Sequence, residues 1–290
     1  MSRGLSLHIG LNSVDPNSYE GWDGTLAACE NDAHCMQKIA SSLGYETQEL
    51  ITRNATRSAV LEAMSKAARG LEKDDIFLLT YSGHGGQVPD TNGDEPDGKD
   101  ETWALYDGEV IDDELYELYT QFKPGVRIFV LSDSCHSGTV TRALYERTAP
   151  IEAELGIRPH AVFRSKLIPS EVQAKVIVRN QKMFETIQND TKAAVMRPAE
   201  ATVLLISGCQ DNQLSSDGDV NGLFTGTLLK VWDNGNFRQD YRHFQEAIKR
   251  NMSPLQQPNY FVVGAPNTAF ECQRPFSIAT TSAATLTSAA

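Results

Sequence analysis

No stretch of this 290-residue sequence approaches the ~20 consecutive apolar residues that a membrane-spanning helix needs. The amino terminus runs directly into a strand pattern, Gly4 to Leu11, without the hydrophobic region and cleavage site of a secretory signal. The five cysteines are odd in number and show no CxxC or other paired metal spacing. We therefore expect a soluble, cytoplasmic protein with free thiols, without membrane contact or a disulfide framework.

Positive charge is also scarce. The chain carries 26 Lys and Arg against 38 Asp and Glu, a net charge of −12. This balance argues against nucleic-acid binding, which relies on clustered Lys and Arg, and agrees with a cationic substrate. Residues 141–200 are the exception, because 10 basic and 7 acidic residues give them a net +3. Such a basic segment can dock on the acidic remainder of the chain, or be its substrate.

The 40% hydrophobic content is enough for a substantial core, and apolar runs alternate with helical patterns along the chain. This alternation predicts a mostly parallel sheet with helices on both faces. Residues 168–183 fit either a helix or a pair of strands. Strands are predicted at 4–11, 45–51, 75–81, 126–131, 202–207 and 259–263, and helices at 26–43, 56–69, 112–122, 223–232 and 241–252. The Ser/Ala/Thr-rich end, 273–290, is predicted to be disordered.

Two of the predicted strands open into Gly/Ser turns that carry reactive side chains. His84 follows the strand at 75–81, and Cys135 follows the strand at 126–131. The carboxyl ends of parallel strands share one edge of a sheet, and neighbouring strands are about 4.8 Å apart. If these strands are neighbours, the imidazole can take the thiol proton and later protonate a leaving amine. The pattern therefore predicts a Cys–His dyad.

The motifs around the two residues, Tyr81-Ser-Gly-His84-Gly and Asp133-Ser-Cys135-His-Ser-Gly, resemble the catalytic blocks of caspase-like cysteine peptidases. Within that clan the sequence is most similar to the metacaspases, including their short bacterial forms. The resemblance extends over residues 5–270 and matches poorly at 140–200. It implies a three-layer αβα fold with a mostly parallel six-stranded sheet. One peptidase domain, residues 1–272, is expected, with a regulatory or processing insertion at about 140–200.

The resemblance also suggests site roles. The amides of Gly85 and Cys135 are expected to form an oxyanion hole, an arrangement that the glycines around His84 permit. Acidic side chains in a cleft select Arg or Lys, because an unpaired buried charge costs several kcal/mol. The arginines with which caspases select Asp have no equivalent here, so cleavage after Arg or Lys is expected. The first specificity pocket is predicted to contain Cys29, Asp32, Ser82 and Asp133, with Asp211 as an added wall.

Metacaspases often bind calcium, and three aspartates resemble their ligands: Asp100, Asp112 and Asp113. The position expected to supply a further ligand is occupied by Arg142. No cofactor is required for the chemistry, so Ca²⁺ is a candidate regulator only. The acidic stretch 90–101 is not an EF-hand, since Glu95 stands where that loop has Gly and no helix leads into it.

The 140–200 segment suggests zymogen control, because relatives in this clan are often activated by a cut in this region. We expect it to cover the substrate groove until it is cut by the protein itself or by an upstream protease. Two other functions stay open: a catalytically silent adaptor, and a cysteine hydrolase that prefers Asn or another residue. Substrates are expected to be proteins or peptides with exposed Arg or Lys, and the short, Pro- and Gly-flanked last strand favours a monomer. The basic candidates for the processing site are Arg142, Arg147, Arg164, Lys166, Lys175 and Arg179.

Overall fold

The protein is described by a computed structural model covering residues 2–93, 95, 97–134, 164–209 and 215–279. Within these residues the strands are β1 (Gly4–Gly10), β2 (Glu46–Ile51), β3 (Ile76–Ser82), β4 (Gly85–Pro89), β5 (Lys99–Leu105), β6 (Gly108–Ile111), β7 (Arg127–Asp133), β8 (Arg164–Ser165), β9 (Thr202–Ser207), β10 (Ser216–Asp217) and β11 (Asn259–Gly264). The helices are α1 (Cys29–Ser42), α2 (Arg57–Gly70), α3 (Asp112–Thr120), α4 (Ser170–Val195), α5 (Leu223–Trp232), α6 (Tyr241–Arg250) and α7 (Thr268–Glu271).

Six strands form the central sheet, in the order β11-β9-β7-β3-β1-β2. All neighbours are parallel except β11, which pairs antiparallel with β9. Helices α2 and α3 pack on one face through residues such as Met64 and Leu115. Helices α1, α5 and α6 cover the other face, where Met36, Phe224 and Ile248 are buried. The predicted three-layer αβα fold with a mostly parallel six-stranded sheet is confirmed.

The strands that lead to the two reactive residues are neighbours in this sheet. Every residue of β3 and of β7 is buried, which explains why both read as uninterrupted apolar runs. Their register places Ser82 opposite Asp133. The amide of Gly83 donates to the Asp133 carbonyl at 3.4 Å, so the turns after both strands begin side by side.

Two helix boundaries follow from local chemistry that the sequence displays. The Thr56 hydroxyl accepts a hydrogen bond from the Ala59 amide at 3.2 Å and caps α2, as predicted. Helix α1 is followed by Gly44 at φ +90°, a left-handed conformation that glycine adopts without steric cost. This stop signal fixes where the chain leaves α1 and enters β2.

The sequence pattern predicts neither a strand nor a helix between His84 and α3, but three strands form there. Strands β4, β5 and β6 form a separate antiparallel sheet in the order β4-β5-β6. The charged residues Lys99 to Glu101 at the start of β5 conceal its strand pattern, because they interrupt the apolar alternation that identifies a half-buried strand. The consequence is that His84 is placed between two sheets.

The insertion predicted at 140–200 is described from residue 164 onward. There it consists of β8, which pairs antiparallel with β10, and the 26-residue helix α4, which decides the helix-or-strand ambiguity in favour of helix. Residues 273–279, assigned by composition to a disordered tail, are ordered: the side chain of Phe276 is fully buried in the core. No helix in the described part of the chain is both long and apolar enough to cross a membrane.

Candidate active site

His84 lies in the turn between β3 and β4, and its side chain is buried. Its Nε2 is 3.0 Å from the Gly24 carbonyl oxygen, and the indole of Trp22 packs edge-on against the imidazole at 4.6 Å between ring centroids. A carbonyl oxygen only accepts hydrogen bonds, so Nε2 carries the proton and a neutral ring leaves Nδ1 as a free base. Gly24 and Trp22 thus orient His84 from a loop without a motif of its own, which is why the sequence did not reveal them.

The charge state of His84 agrees with that tautomer. Burial lowers the pKa of His84 to about 4, although the hydrogen bond to the Gly24 carbonyl opposes this shift. Nδ1 is buried and has no partner within hydrogen-bonding geometry among the described residues, and the Leu167 backbone lies close enough to the ring to oppose the lowering of the pKa as well. The predicted nucleophile, Cys135, lies outside the described residues, which end in this region at Ser134. The dyad and the oxyanion amide of Cys135 therefore stay predictions.

Beside His84 the structure brings together three residues of the predicted specificity pocket. The carboxylates of Asp32, on α1, and of Asp133, at the end of β7, are buried and face Ser82 at the end of β3. Between them lies the ammonium group of Lys166, whose side chain is fully buried. Its Nζ is 2.9 Å from Ser82 Oγ, 3.1 Å from Asp133 Oδ2 and 3.4 Å from Asp32 Oδ2. Each of the three ammonium protons thus has one acceptor.

The N-terminal end of α5 supports both carboxylates. The amide of Gly222 donates to Asp32 at 3.0 Å, and the hydroxyl of Thr225 donates to Asp133 at 2.8 Å. An ideal Cβ on Gly222 would lie 2.5 Å from Lys166 Nζ, so this glycine forms the floor of the pocket. The positive end of the α5 dipole favours two negative charges here. Further support comes from Ser215, which donates to Asp133 at 2.6 Å, and Asn221, which donates to Asp32 at 2.9 Å.

The electrostatics of the pocket favour a bound cation. Burial alone would lower the pKa of Lys166, but the carboxylates of Asp133 and Asp32 reverse that effect and raise it well above its usual value. Burial raises the pKa of Asp32 to about 6; the charge of Lys166 opposes this increase and that of Asp133 adds to it. Two buried carboxylates and one ammonium leave one net negative charge, which the α5 amides help to stabilise.

The backbone around Lys166 is also held by hydrogen bonds, in addition to those of its side chain. The Lys166 amide donates to the Ser215 carbonyl at 3.0 Å, and its carbonyl accepts from the Gly85 amide at 3.0 Å. The next hydrogen bond runs from the Ile168 amide back to the Gly85 carbonyl at 2.9 Å. Gly85, predicted to stabilise an oxyanion, therefore contacts the carbonyl oxygen of the Lys166–Leu167 peptide bond.

The other predicted pocket residues differ in their placement. Cys29 is buried beside Asp217, whose carboxylate accepts from the Ala27 amide at 2.7 Å and holds the loop before α1. Burial raises the pKa of the Cys29 thiol, so it stays protonated in the wall. Asp211 lies outside the described residues, as do the processing candidates Arg142 and Arg147. Of the others, Arg164, Lys175 and Arg179 are exposed, and Lys166 alone among the four described candidates is enclosed.

The candidate calcium ligands lie together but are bound by protein groups. Asp100 accepts a hydrogen bond from Gln188 of α4, and Asp113 accepts from Asn92 at 2.7 Å and from Thr191 at 3.2 Å. Burial, followed by the charges of neighbouring carboxylates, raises the pKa of Asp112 well above its usual value. Among the described residues no group of three or more His, Cys, Asp or Glu side chains has an arrangement that could hold a metal ion. Calcium binding is not tested by this arrangement and stays a prediction.

The sheet order and the placement of His84 at the carboxyl end of its central strands define a caspase-like protein. Residues 13–273 match the family model described as the caspase domain, and the chain belongs to that family. A crystal structure of caspase-1 from Spodoptera frugiperda shares the fold, with a TM-score of 0.53 at 13% identity over 91% of this chain and 86% of that one.

More similar proteins come from fungi and bacteria. Metacaspase-1 of Cryptococcus neoformans is 32% identical over 248 residues, 77% of this chain and 53% of its own. Metacaspase-1A of Aspergillus clavatus is 29% identical over 277 residues, 86% of this chain and 63% of its own. The chain thus spans only part of the length of these relatives. The crystal structure of protein GSU0716 from Geobacter sulfurreducens superposes with a TM-score of 0.85 at 50% identity, over 96% of this chain and 99% of that one.

Proposed function

We propose that the protein is a cysteine endopeptidase that cleaves after Lys or Arg with Cys135 as nucleophile and His84 as base. Membership of the caspase-domain family and the similarity to metacaspases support a cysteine peptidase. The observation that carries the specificity is the occupancy of the Asp32/Asp133 pocket by a lysine whose carbonyl lies on the Gly85 amide.

The proposed chemistry uses the described positions of His84 and Gly85, and gives Cys135 the role that the sequence predicts. Nδ1 of His84 takes the thiol proton, and the Cys135 thiolate attacks the carbonyl carbon of the residue whose side chain fills the pocket. The Gly85 amide stabilises the negative oxygen that develops there; loss of one such donor typically slows acyl transfer by roughly 10²–10³-fold. The protonated His84 then gives its proton to the leaving amine, and water hydrolyses the thioester.

We further propose that the protein is made as a zymogen whose processing bond is Lys166–Leu167. Residues 164–168 occupy the pocket and the backbone positions that a substrate would need, so they exclude other substrates while they stay there. The carbonyl oxygen of this bond also accepts from the Gly85 amide, the donor that would bind the carbonyl of a substrate bond. Of the remaining candidates, Arg164, Lys175 and Arg179 are exposed and lack this supporting contact, and Arg142 and Arg147 lie outside the described residues.

Intact mass and terminus mapping of four purified proteins test the proposal: wild type, Cys135→Ala, Lys166→Met and Lys175→Met, each with and without calcium. We expect a cut after residue 166 in the wild type and in Lys175→Met, whose exposed lysine is the matched control. Cys135→Ala stays whole. Lys166→Met is not cut at this bond but hydrolyses Lys peptides without prior processing, because its own chain no longer supplies a cation to the pocket.

A silent adaptor would give the opposite result. In that case the wild type stays uncut in every condition, hydrolyses no Lys, Arg or Asn peptide, and does not react at Cys135 with a lysyl acyloxymethyl ketone. Cleavage of Asn peptides in preference to Lys and Arg peptides would replace the proposed specificity and leave the cysteine chemistry in place.

A further inference from the structure

The chain continues past Lys166 in a bound, extended conformation, and this part of the groove has no assigned role. Leu167 forms a parallel bridge with Gly85, which places the chain alongside the start of β4. Side chains of an extended chain alternate in direction. In agreement, Lys166 and Ile168 are buried while Leu167 is only partly covered.

Ile168 enters an apolar recess next to the catalytic histidine. Only 2% of its surface is exposed, and it belongs to a cluster with Val14, Tyr19 and Ala104. Gly86 forms one wall of the recess, since an ideal Cβ there would lie 3.0 Å from Cδ1 of Ile168, and Oε1 of Gln173 on α4 would be closer still. The Ala104 amide donates to the His84 carbonyl at 2.9 Å. The same residue, Ala104, therefore lines the recess and holds the backbone of the proposed base.

Most of this recess does not depend on the segment that fills it. Val14 and Tyr19 belong to the loop before α1, Gly86 belongs to β4 and Ala104 belongs to β5. Of the cluster, only Val176, the partly buried Val172 and Ile168 itself come from the 164–195 region. When residues 164–168 leave, the remaining walls are apolar and carry a backbone carbonyl, that of Gly85, that can bind a peptide amide.

We propose that this recess is a substrate subsite that takes an aliphatic side chain two residues after the cleaved bond. The inference rests on the proposed endopeptidase function and deepens it. The preferred substrate has the sequence Lys–Xaa–aliphatic, is cut after the Lys, and is recognised through side chains on both sides of the cleaved bond. Backbone hydrogen bonds to an added strand give affinity, and alternate side chains give specificity. The intervening residue is weakly selected because its side chain points outward.

Internally quenched peptides with the sequence of residues 161–170 test this subsite, assayed with the processed wild-type protein. We expect replacement of the isoleucine at the position of Ile168 by Asn to lower kcat/KM by ~10–100-fold, the range that burial of one aliphatic side chain supports. The matched control places Asn at the position of Leu167, and there the loss stays within about 3-fold.

A protein variant gives a second readout. Gly86→Ala narrows the recess, so the preference for Ile over Ala at this position should fall while peptides with Ala are still cleaved. Equal cleavage of the Ile and Asn peptides, with Lys still required, would overturn the subsite and leave the peptidase function intact. If no peptide is cleaved and Cys135 does not react with the lysyl ketone, the proposed function is wrong and the subsite is wrong with it.

Discussion

At the scale of single residues, the pocket depends on two carboxylates that hold one ammonium group. Asp32→Asn keeps the shape of the side chain and removes one charge, so the Lys ammonium loses an anionic partner in a buried site. We expect kcat/KM for Lys peptides to fall by roughly 10²–10³-fold, since truncating one member of a buried charge pair costs about 3–5 kcal/mol. Steady-state kinetics would measure this.

The control for that substitution is Asp219→Asn, at an exposed position close to the pocket in sequence. It removes the same charge from the whole molecule, so a comparable loss in both variants would mean that the overall field, and not the pocket, attracts the substrate.

The same carboxylate gives a pH dependence with a definite sign. The pKa of Asp32 is raised to about 6, so its charge is lost as the pH falls through that value. Cleavage of Lys peptides, relative to norleucine peptides of the same length, should therefore decrease between about pH 7 and pH 5. Norleucine carries no charge, so the ratio cancels the titration of His84 and Cys135. A constant ratio over this range would contradict the assignment of Asp32.

At the scale of elements, helix α4 holds the occupying segment in place. Three of its side chains are buried against the body of the protein: Gln173 donates to Glu109 at 3.0 Å, Thr191 donates to Asp113, and Gln188 donates to the Pro89 carbonyl at 2.9 Å. The helix begins two residues after Ile168. Its docking therefore limits how far Leu167 can move from the Gly85 amide until the acyl-enzyme has been hydrolysed, after which residues 167 and 168 leave the groove.

Loosening α4 should speed self-processing. Once the acyl-enzyme forms, a leaving amine that is held close can attack it again and restore the bond, by microscopic reversibility. Gln188→Leu removes the donors to Pro89 and Asp100 and the acceptor of the Thr91 amide, and loss of a buried hydrogen-bond partner costs about 1–3 kcal/mol per group. We expect the 166–167 cut to appear several-fold faster, measured by the time course of fragment masses.

Gln181→Leu is the matched control, because Gln181 lies on the exposed side of the same helix and its side chain donates to Glu185 one turn further along that helix. Equal cutting rates for Gln188→Leu and the wild type would show that α4 does not restrain the leaving amine.

The strands and helices that the sequence predicted correctly are those with a single clear local pattern. The buried strands β3 and β7 and the helix α5 followed from apolar runs and helical spacing. Sheet β4-β5-β6 was missed because its strands are short, and because the charged residues Lys99 to Glu101 interrupt the alternation at the start of β5. The partners of these charges, Gln87 of β4 and Gln188 of α4, become neighbours only when the chain folds. Gln173, Gln188 and Thr191 are ordinary polar residues in the sequence, and only tertiary contact gives them a docking role.

The candidate site was predictable to the extent that its residues sit at strand ends. His84, Ser82 and Asp133 lie at the ends of β3 and β7, and Asp32 lies in the first turn of α1; the pocket residues could be named because their motifs resemble those of metacaspases. Gly24, Gly222 and Thr225 could not, since loops and helix starts bring them in from distant parts of the chain. The most informative residue, Lys166, was one of six equivalent basic candidates until folding enclosed it.

At the scale of the whole molecule, the docking of α4 predicts that processing does not separate the two fragments. The cut leaves α4, β9 and β11 on one side of the bond, and β9 pairs along its full length with β7 on the other. Native mass spectrometry of the processed protein should give a single particle of one chain plus one water, and denaturing conditions should give two fragments. Separation of the fragments in native buffer would contradict this prediction. A native mass of two chains would contradict the expected monomer.

The enclosed Lys166 also has a consequence for inhibitor discovery. A ligand tethered by its own chain acts at an effective concentration that can reach the millimolar range. If the pocket is vacant in about one molecule in a thousand, the apparent affinity of a compound is about a thousand-fold weaker than its affinity for the open pocket. A compound with nanomolar affinity for the open pocket would then show micromolar affinity for the uncut protein. Compounds ranked on the uncut chain would thus be ranked by how well they compete with residues 164–168, and the Lys166→Met protein is the form in which intrinsic affinities can be read.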